Sequence, residues 1–378
     1  MTKLRLLVFL LTIVVVGTIG TVAIFYARGY RLNKNTITPN GLFVANSDPT
    51  GAQLLVNNEL KSATNATVTL PPGVYDVTIK KDGYIPWKKR IAIEKEIVTE
   101  VDSSLFPIAP SLSAITFSGA SKPAISDDYS KIAYADSVGL WVIETINLPL
   151  GFSRQPLKIT DGDLTSMSFT WSPDGRQILI TGKSVAYLLD ASKFTSQTQK
   201  VNIFDTLNKT RADWKDIVDK QNNSLLGKLP DDIKTIFNLK TADVKFSPDE
   251  TKILYTASSS ASIPTGLISP LPGSSSQSQS RDIKKDHKYV YDIKEDRNFE
   301  ITDIDSNVYW FPTSRNLLIP QKDKVVIADY DNTNKQVVYA GAYLAPNAFP
   351  TPNTNRIFIV TNLGAKDSPP NLYSLNLK

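Results

Sequence analysis

One histidine, His287, stands in 378 residues, and there is no cysteine. The side chains that most often supply nucleophiles, neutral-pH bases and transition-metal ligands are therefore almost missing. Thiolate catalysis, disulfides, Cys/His zinc centres and any Ser-His-Asp triad without a well-placed His287 are excluded. His287 ends a Ser/Pro-rich, charged stretch and is expected to be a solvated loop residue. Carboxylates remain. Asp127-Asp128 and Asp161-Gly162-Asp163 are paired acids in turn-forming contexts, where aspartate usually accepts backbone N–H bonds. Asp303, Asp305 and Asn307 alternate as calcium ligands do, but without the glycine and distal glutamate of a complete loop. No Gly-x-Ser-x-Gly elbow and no phosphate-cradling glycine loop occurs. No catalytic residue, metal ligand or cofactor site is predicted. One enzymatic alternative stays open: a glycan hydrolase or lyase whose two carboxylates come from distant segments.

The elements that would position such groups are written as a repeat. "FTWSPDGRQILITG" (169–182) returns as "VKFSPDETKILYTA" (244–257), with weaker copies at "ISDDYSKIAYA" (125–135), "WFPTSRNLLIP" (310–320) and "PTPNTNRIFIV" (350–360). The position of Ser172 recurs at Ser126, Ser247, Phe311 and Thr351, spaced 46, 75, 64 and 40 residues apart. Ser172, Pro173 and Asp174, like Ser247, Pro248 and Asp249, suit a tight turn between two apolar strands. Each copy is followed by a third strand ("GLWVIE", "VAYLLD", "KYVYDIK", "VVIADYD", "NLYSLNL") and some by a fourth ("PLKIT", "NFEIT", "QVVYA"). Four strands per unit at a basic period near 40 to 45 residues predicts a β-propeller over 111–378. The last copy stops at its third strand. "LSAITFSG" (112–119) has no unit of its own and can supply the missing outer strand. Five blades are expected, with six as the alternative. The turns resemble those of the Tol-system periplasmic propeller and other WD-repeat-like domains.

Two long spacings need insertions. Thr210-Arg-Ala-Asp213 has the form of a capping box opening a helix, with Trp214, Ile217, Val218, Gln221 and Leu225 at helical spacing. Pro230 starts a second helix at its first position. This insertion, 207–239, is expected to project from the ring, either decorating its side or lying over one face as a lid. The Ser/Pro/Gly-rich segment 258–288 is expected to be a disordered loop between the second and third strands of blade three.

Residues 6–27 run for 22 positions without a charge, about 33 Å of helix and enough to span a bilayer core. No small-residue cleavage site in a polar setting follows. Residues 1–30 are accordingly expected to be a retained single-pass anchor with a short cytoplasmic N-terminus, and 31–40 a polar tether. Cations flank both ends (Lys3 and Arg5; Arg28, Arg31 and Lys34), so the charge bias barely fixes orientation. The bulk of the chain is expected outside the cytoplasmic membrane.

Short strands and turns fill 41–106. "SDPTGAQLLVNN", "LPPGVYDVTIKKDGY" and "IAIEKEIVTEVDSSL" fall in one order, and this region resembles a PEGA domain, a small all-β surface module. Its name motif appears as Pro49-Thr50-Gly51-Ala52, and Asn57-Asn58 stands where Asp-Gly is usual. The resemblance implies a small β-sandwich for binding or spacing, without chemistry. Gly51, Gly73 and Gly83 are expected at positive φ or close approaches, Pro71 and Pro72 in a turn, and Tyr84 in the core. In "KKDGYIPWKKR", Lys80, Lys81, Lys88, Lys89 and Arg90 surround Tyr84 and Trp87. These seven residues are a candidate contact patch for anionic headgroups or wall polymer. The simpler alternative is a hairpin with solvated lysines and Trp87 capping the core.

The formal charge of +5 and the lack of a dominant basic stripe argue against nucleic acid. The expectation is a mainly β, membrane-anchored, extracytoplasmic, non-enzymatic scaffold that recognises a protein or envelope polysaccharide through propeller loops. A membrane-tethered cytosolic scaffold is the alternative if the topology is reversed.

Overall fold

The structure is a computed structural model describing residues 2–27, 31–33, 36–38, 40–146, 155–269, 276–303, 307–365 and 367–378. Asp305, Arg28 and Lys34 lie outside the described residues. The chain divides into two compact units: 1–105 with 270–277, and 106–269 with 278–378.

In the first unit, α1 (Thr2–Ala27) contains a stretch, Leu7–Tyr26, long and apolar enough to cross a membrane. The three threonine hydroxyls of that stretch are satisfied within the helix. The hydroxyls of Thr12, Thr18 and Thr21 donate to the carbonyls of Val8, Val14 and Gly17 at 2.9, 2.7 and 2.8 Å, as hydrocarbon surroundings demand. A short hairpin, β1 (Arg31–Asn33) and β2 (Thr36–Thr38), follows.

Seven strands then form two sheets: β3 (Gly41–Asp48), β4 (Gln53–Val56), β5 (Glu59–Ala63), β6 (Ala66–Leu70), β7 (Gly73–Lys80), β8 (Trp87–Ile93) and β9 (Val98–Ser104). One sheet has the order β6-β3-β9 and the other β5-β4-β7-β8. Two-residue alternation sends Phe43, Ala45, Leu54, Val77, Ile79, Trp87 and Ile91 into one shared core, making a β-sandwich. Asn57 and Asn58 both have positive φ (49° and 66°) and close β4 onto β5. This is the hairpin turn that asparagine can adopt in place of Asp-Gly. Gly51 and Gly83 have the expected positive φ, 72° and 81°. Gly73 does not, and a Cβ there would meet the Tyr75 ring at an ordinary 3.6 Å, so that expectation is corrected. The close approach lies at Gly41, where a Cβ would fall 2.4 Å from the Glu94 carbonyl.

In the second unit the strands are β10 (Ser111–Ala114), β11 (Ser121–Ile125), β12 (Lys131–Asp136), β13 (Gly139–Glu144), β14 (Leu157–Asp161), β15 (Ser168–Trp171), β16 (Gln177–Thr181) and β17 (Ala186–Asp190). Helices α2 (Leu207–Leu226) and α3 (Asp231–Lys240) follow. Next come β18 (Thr241–Phe246), β19 (Lys252–Ala257), β20 (Ala261–Ser262), β21 (Asp282–Ile283), β22 (His287–Asp292) and β23 (Arg297–Asp303). The chain ends with β24 (Tyr309–Trp310), β25 (Asn316–Pro320), β26 (Lys324–Asp329), β27 (Gln336–Ala340), β28 (Ala348–Pro350), β29 (Arg356–Thr361) and β30 (Asn371–Asn376).

Five antiparallel sheets result among the described residues: β11–β14, β15–β17, β18-β19-β22-β23, β24–β27, and β28-β29-β30-β10. These are five propeller blades. The last takes its outer strand from the first segment, Ser111 pairing with Asn376 and Ala114 with Tyr373, so the ring closes as the spare strand predicted. Apolar faces join blade one to two, three to four, four to five and five to one.

The repeated turn is one hydrogen-bonded device. The hydroxyls of Ser126, Ser172 and Ser247 each donate to the carboxylate two residues on (Asp128, Asp174, Asp249) at 2.6 Å. Each hydroxyl also accepts the N–H five residues on, at 3.0, 2.9 and 3.0 Å. The fourth turn residue has positive φ whether it is Tyr129, Gly175, Glu250 or Ser314. Burial raises the Asp249 pKa, but bonds from Ser247 and Thr251 outweigh it and hold the carboxyl below 3.8. That stabilisation is fully present above the ordinary aspartate range and is lost as pH falls from there through the lowered folded pKa. Asp249→Ala is expected to lower stability by about 1 kcal/mol at pH 7. The gap from wild type should shrink at pH 3, as urea unfolding at both pH values will show.

The helical insertion departs from expectation. It fills the sector between blades two and three instead of projecting. Leu207 and Trp214 pack on the face of blade two opposite blade one, against Leu179 and Ala186. Leu226, Ile233 and Phe237 pack on Ile253, Tyr255, Tyr289 and Tyr291 of blade three. Helix α2 begins at Leu207, so Thr210 is inside it, its hydroxyl bonding back to the Thr206 carbonyl at 3.3 Å. Pro230 caps α3 from outside its first turn.

The segment 258–288 is likewise not a disordered loop in its described parts. Its limbs pair through β20 and β21 and bury Ile263 and Ile283. His287 stands on β22, half-buried, its Nδ1 2.8 Å from Glu300 Oε1.

Candidate functional site

Structure divides the seven residues of the candidate patch. Trp87 is 3% exposed within the sandwich core, and Tyr84 packs against that core. Lys89 pairs with Val77 on the core-facing side of the sheet. Lys81 donates to the Thr50 carbonyl at 2.6 Å. Lys80, Lys88 and Arg90 share the outer face, where Arg90 lies 3.7 Å from Asp76. Pro71 carries a local bond, its carbonyl accepting the Tyr75 hydroxyl at 2.8 Å, and Pro72 is exposed beside it.

The inner strands of the propeller border a concavity of about 1270 Å³, its central channel. Inner strands of blades one, three, four and five contribute to it, with Pro173 from blade two. The remaining wall is α2, whose helical spacing presents Lys215, Asp219, Asn222 and Leu226 along one face, with Phe237 and Asn238 of α3 beside it. Lys215 pairs with Asp219, and the Asn222 amide donates to the Val244 carbonyl at 3.2 Å, fixing the helix against the inner strand of blade three. That strand is unusually open: Ala242, Asp243 and Lys245 are exposed to the lumen. A second hollow of about 520 Å³ lies where β11, β15 and β28 begin, and Pro123 borders both.

Indoles tie the neighbouring blades around this channel. Trp171 Nε1 donates to the Ala124 carbonyl at 2.9 Å, and Trp310 Nε1 to that of Lys245 at 3.0 Å. The aromatic before the turn motif thus clasps the preceding inner strand. Tyr129, Tyr309 and Phe349 form an edge-to-face series, with centroids 6.4 and 6.2 Å apart. Burial pushes the Tyr309 hydroxyl up to about 12. Burial, then Tyr309 and the Asp127 carboxylate, pushes Tyr129 higher still. Both remain neutral donors and acceptors at physiological pH.

The lining therefore offers carboxylates (Asp127, Asp219, Asp243), amides and two lysines around half-buried tyrosines. It suits hydrogen bonding to a polar ligand. Among the described residues no group of three or more His, Asp or Glu is placed to hold a metal. Ser172, Ser247, Asp174 and Asp249 hold turns, while Pro173 also borders the lumen. Sequence reasoning missed the α2 face and Asp243. The apolar spacing from Trp214 to Leu225 suggested the wrong buried stripe, since Leu226 is buried and Ile217 is 45% exposed.

The propeller shows limited likeness to solved structures. A candidate TolB from Agrobacterium tumefaciens is 14% identical, with 72% of this chain and 82% of that one covered, at a TM-score of 0.24. TolB from Acinetobacter baumannii is 13% identical, covering 92% and 65%, at 0.22. A luciferin-regenerating enzyme is 13% identical, covering 71% and 95%, at 0.24. The propeller itself is established by strand order. No curated protein matches the chain. Three ordered motifs, a two-sheet sandwich and a family match over residues 41–108 agree for the first module, which is a PEGA domain.

Proposed function

We propose that the chain is a membrane-tethered, non-enzymatic recognition protein, extracytoplasmic in its bulk, that takes a protein segment or envelope glycan into the propeller channel. One observation carries the reading: a lumen of about 1270 Å³, above the usual ~300–1,000 Å³ of small-molecule sites, walled by polar side chains from blades one, three and four and from helix α2. Helix α1 would hold it at the cytoplasmic membrane. The boundaries 1–30 for the anchor, 31–40 for the tether, 41–106 for the small module and 111–378 for the propeller are part of the proposal.

Ala242 is exposed and borders the lumen, so Ala242→Trp should plug it without touching the core. Full-length protein in detergent is expected to capture ligand from an envelope polymer and peptide panel. The variant should lose capture at least roughly tenfold, or about 1.4 kcal/mol. Undiminished capture would move the site off the channel. A C-terminal tag lost to protease on intact cells would support the outward topology, and protection would favour the cytosolic alternative.

A second reading, glycan hydrolysis or lysis, is favoured by Asp127 and Asp243, which border one lumen from different blades. Release of reducing ends by wild type but not by Asp127→Asn or Asp243→Asn would establish it.

A further inference from the structure

The two outer faces of the PEGA sandwich carry opposite charge. On the β5-β4-β7-β8 sheet, strand register puts Lys80, Lys88 and Arg90 outward with a single anion, Asp76. Val74 is on the same side and 54% exposed. On the β6-β3-β9 sheet the outward positions of β9 are Val98, Glu100, Asp102 and Ser104; Val98 is 55% exposed, and Glu100 and Asp102 both accept bonds from the Asn46 amide, at 3.1 and 2.8 Å. Their neighbours there are Leu42, Val44, Asp48, Thr67 and Thr69, without a cation. One face is thus two charges positive and the other, with Asp48 of β3, three negative, across a single small core.

The polarised module follows α1 closely. Fourteen residues separate Tyr26 from Gly41, a reach of at most about 50 Å, and the β1–β2 hairpin shortens it. A module held that near a bilayer meets headgroups at high effective concentration. We infer that the Lys80/Lys88/Arg90 face docks on the anionic phospholipid headgroups of the leaflet next to the anchor, turning Glu100 and Asp102 away. The commitment is to headgroups, because the tether already supplies proximity and a cationic sheet with exposed Val74 matches an interface of phosphates over hydrocarbon. Two net charges near such a surface correspond to about a thirtyfold preference for the docked state, or about 2 kcal/mol.

The inference rests on α1 spanning the bilayer and is otherwise independent of the channel. With no native cysteine, single labels can be placed at Val74→Cys and Thr67→Cys on opposite faces of the full chain. Each is reconstituted into neutral phosphatidylcholine vesicles or vesicles with roughly 30% phosphatidylglycerol, an amount chosen to give substantial surface potential. Quenching by headgroup-labelled lipid is then read. The Val74 label should be quenched more in anionic than neutral vesicles, and more than the Thr67 label. Salt at about 0.5 M should remove the difference, as should joint Lys80→Gln, Lys88→Gln and Arg90→Gln. Equal quenching in both lipids, or equal quenching of the two labels, overturns docking. A Val74 response to soluble polyphosphate in neutral vesicles, without one to phosphatidylglycerol, overturns the headgroup assignment. Chain that fails to float with vesicles refutes the anchor instead.

Discussion

Phe237→Ala is expected to destabilise the propeller by about 3–5 kcal/mol. The ring is 2% exposed and meets Tyr255 at 4.8 Å and Tyr291 at 5.9 Å between centroids. Tyr255 and Tyr289 stack behind it at 5.6 Å. Those tyrosines occupy the face of blade three that would otherwise meet another blade. Removing Phe237 therefore hollows the joint between the helical sector and the ring. The sector cannot easily collapse to fill the gap, because Leu207 and Trp214 hold the other end of α2 on blade two. Urea unfolding should show a lower midpoint. Because α2 is one wall of the channel, ligand capture should fall under conditions where the variant is still folded. Leu239→Ala on α3, 70% exposed, is the control and should change stability by no more than roughly 0.5 kcal/mol.

Asp296→Asn is the second change with a large expected effect. Its carboxylate sits 3.0 Å from the Arg281 guanidinium, accepts the Tyr291 hydroxyl at 2.7 Å and the Gly266 N–H at 3.1 Å, and is almost wholly buried. Arg281 also donates to the Pro264 and Asp296 carbonyls. Breaking one side of a buried pair typically costs about 3–5 kcal/mol, because the other charge stays in low dielectric. Asparagine keeps the shape and tolerates the positive φ of 48° at this position, so the loss reports charge, not backbone strain. The first consequence should be local. The limbs 258–269 and 276–288 lose their clamp, and proteolytic nicking there should accelerate well before global unfolding. An unchanged nicking rate would show that Ile263 and Ile283 hold the insertion without the ion pair.

Legibility in the sequence followed the range of the interactions. The Ser-Pro-Asp turns could be read because serine, carboxylate and the bonded N–H groups lie within six residues. The spare strand at 112–119 could be read because a four-strand unit lacked one member. The helical sector could not, because its buried face depends on tyrosines of blade three that are remote in sequence. Periodicity alone pointed to Leu225 where Leu226 is buried. The segment 258–288 looked structureless by composition, yet Arg281 finds Asp296 and two isoleucines find a core. The channel was beyond reach for the same reason. Asp127, Asp219, Asp243 and Tyr309 carry no common motif, and only ring closure brings them to one lumen. In the small module, Trp87 is buried, as the simpler alternative had it, while the direction of each neighbouring lysine depends on strand register that the count of charges does not carry.

The pairing of β10 with β30 sets an order of manufacture. Residues 111–114 emerge from the ribosome more than 250 residues before their hydrogen-bonding partner, 371–376. Until then the first segment has no neighbour in its sheet. Blades one and five, which share a buried seam, each leave an apolar face uncovered. The closing contact spans more than 250 residues, a separation that delays folding far more than it weakens the finished ring. Any pause in synthesis before Asn371 leaves an unsealed arc with adhesive ends. Chain-end proteolysis and chaperone demand should concentrate on that interval.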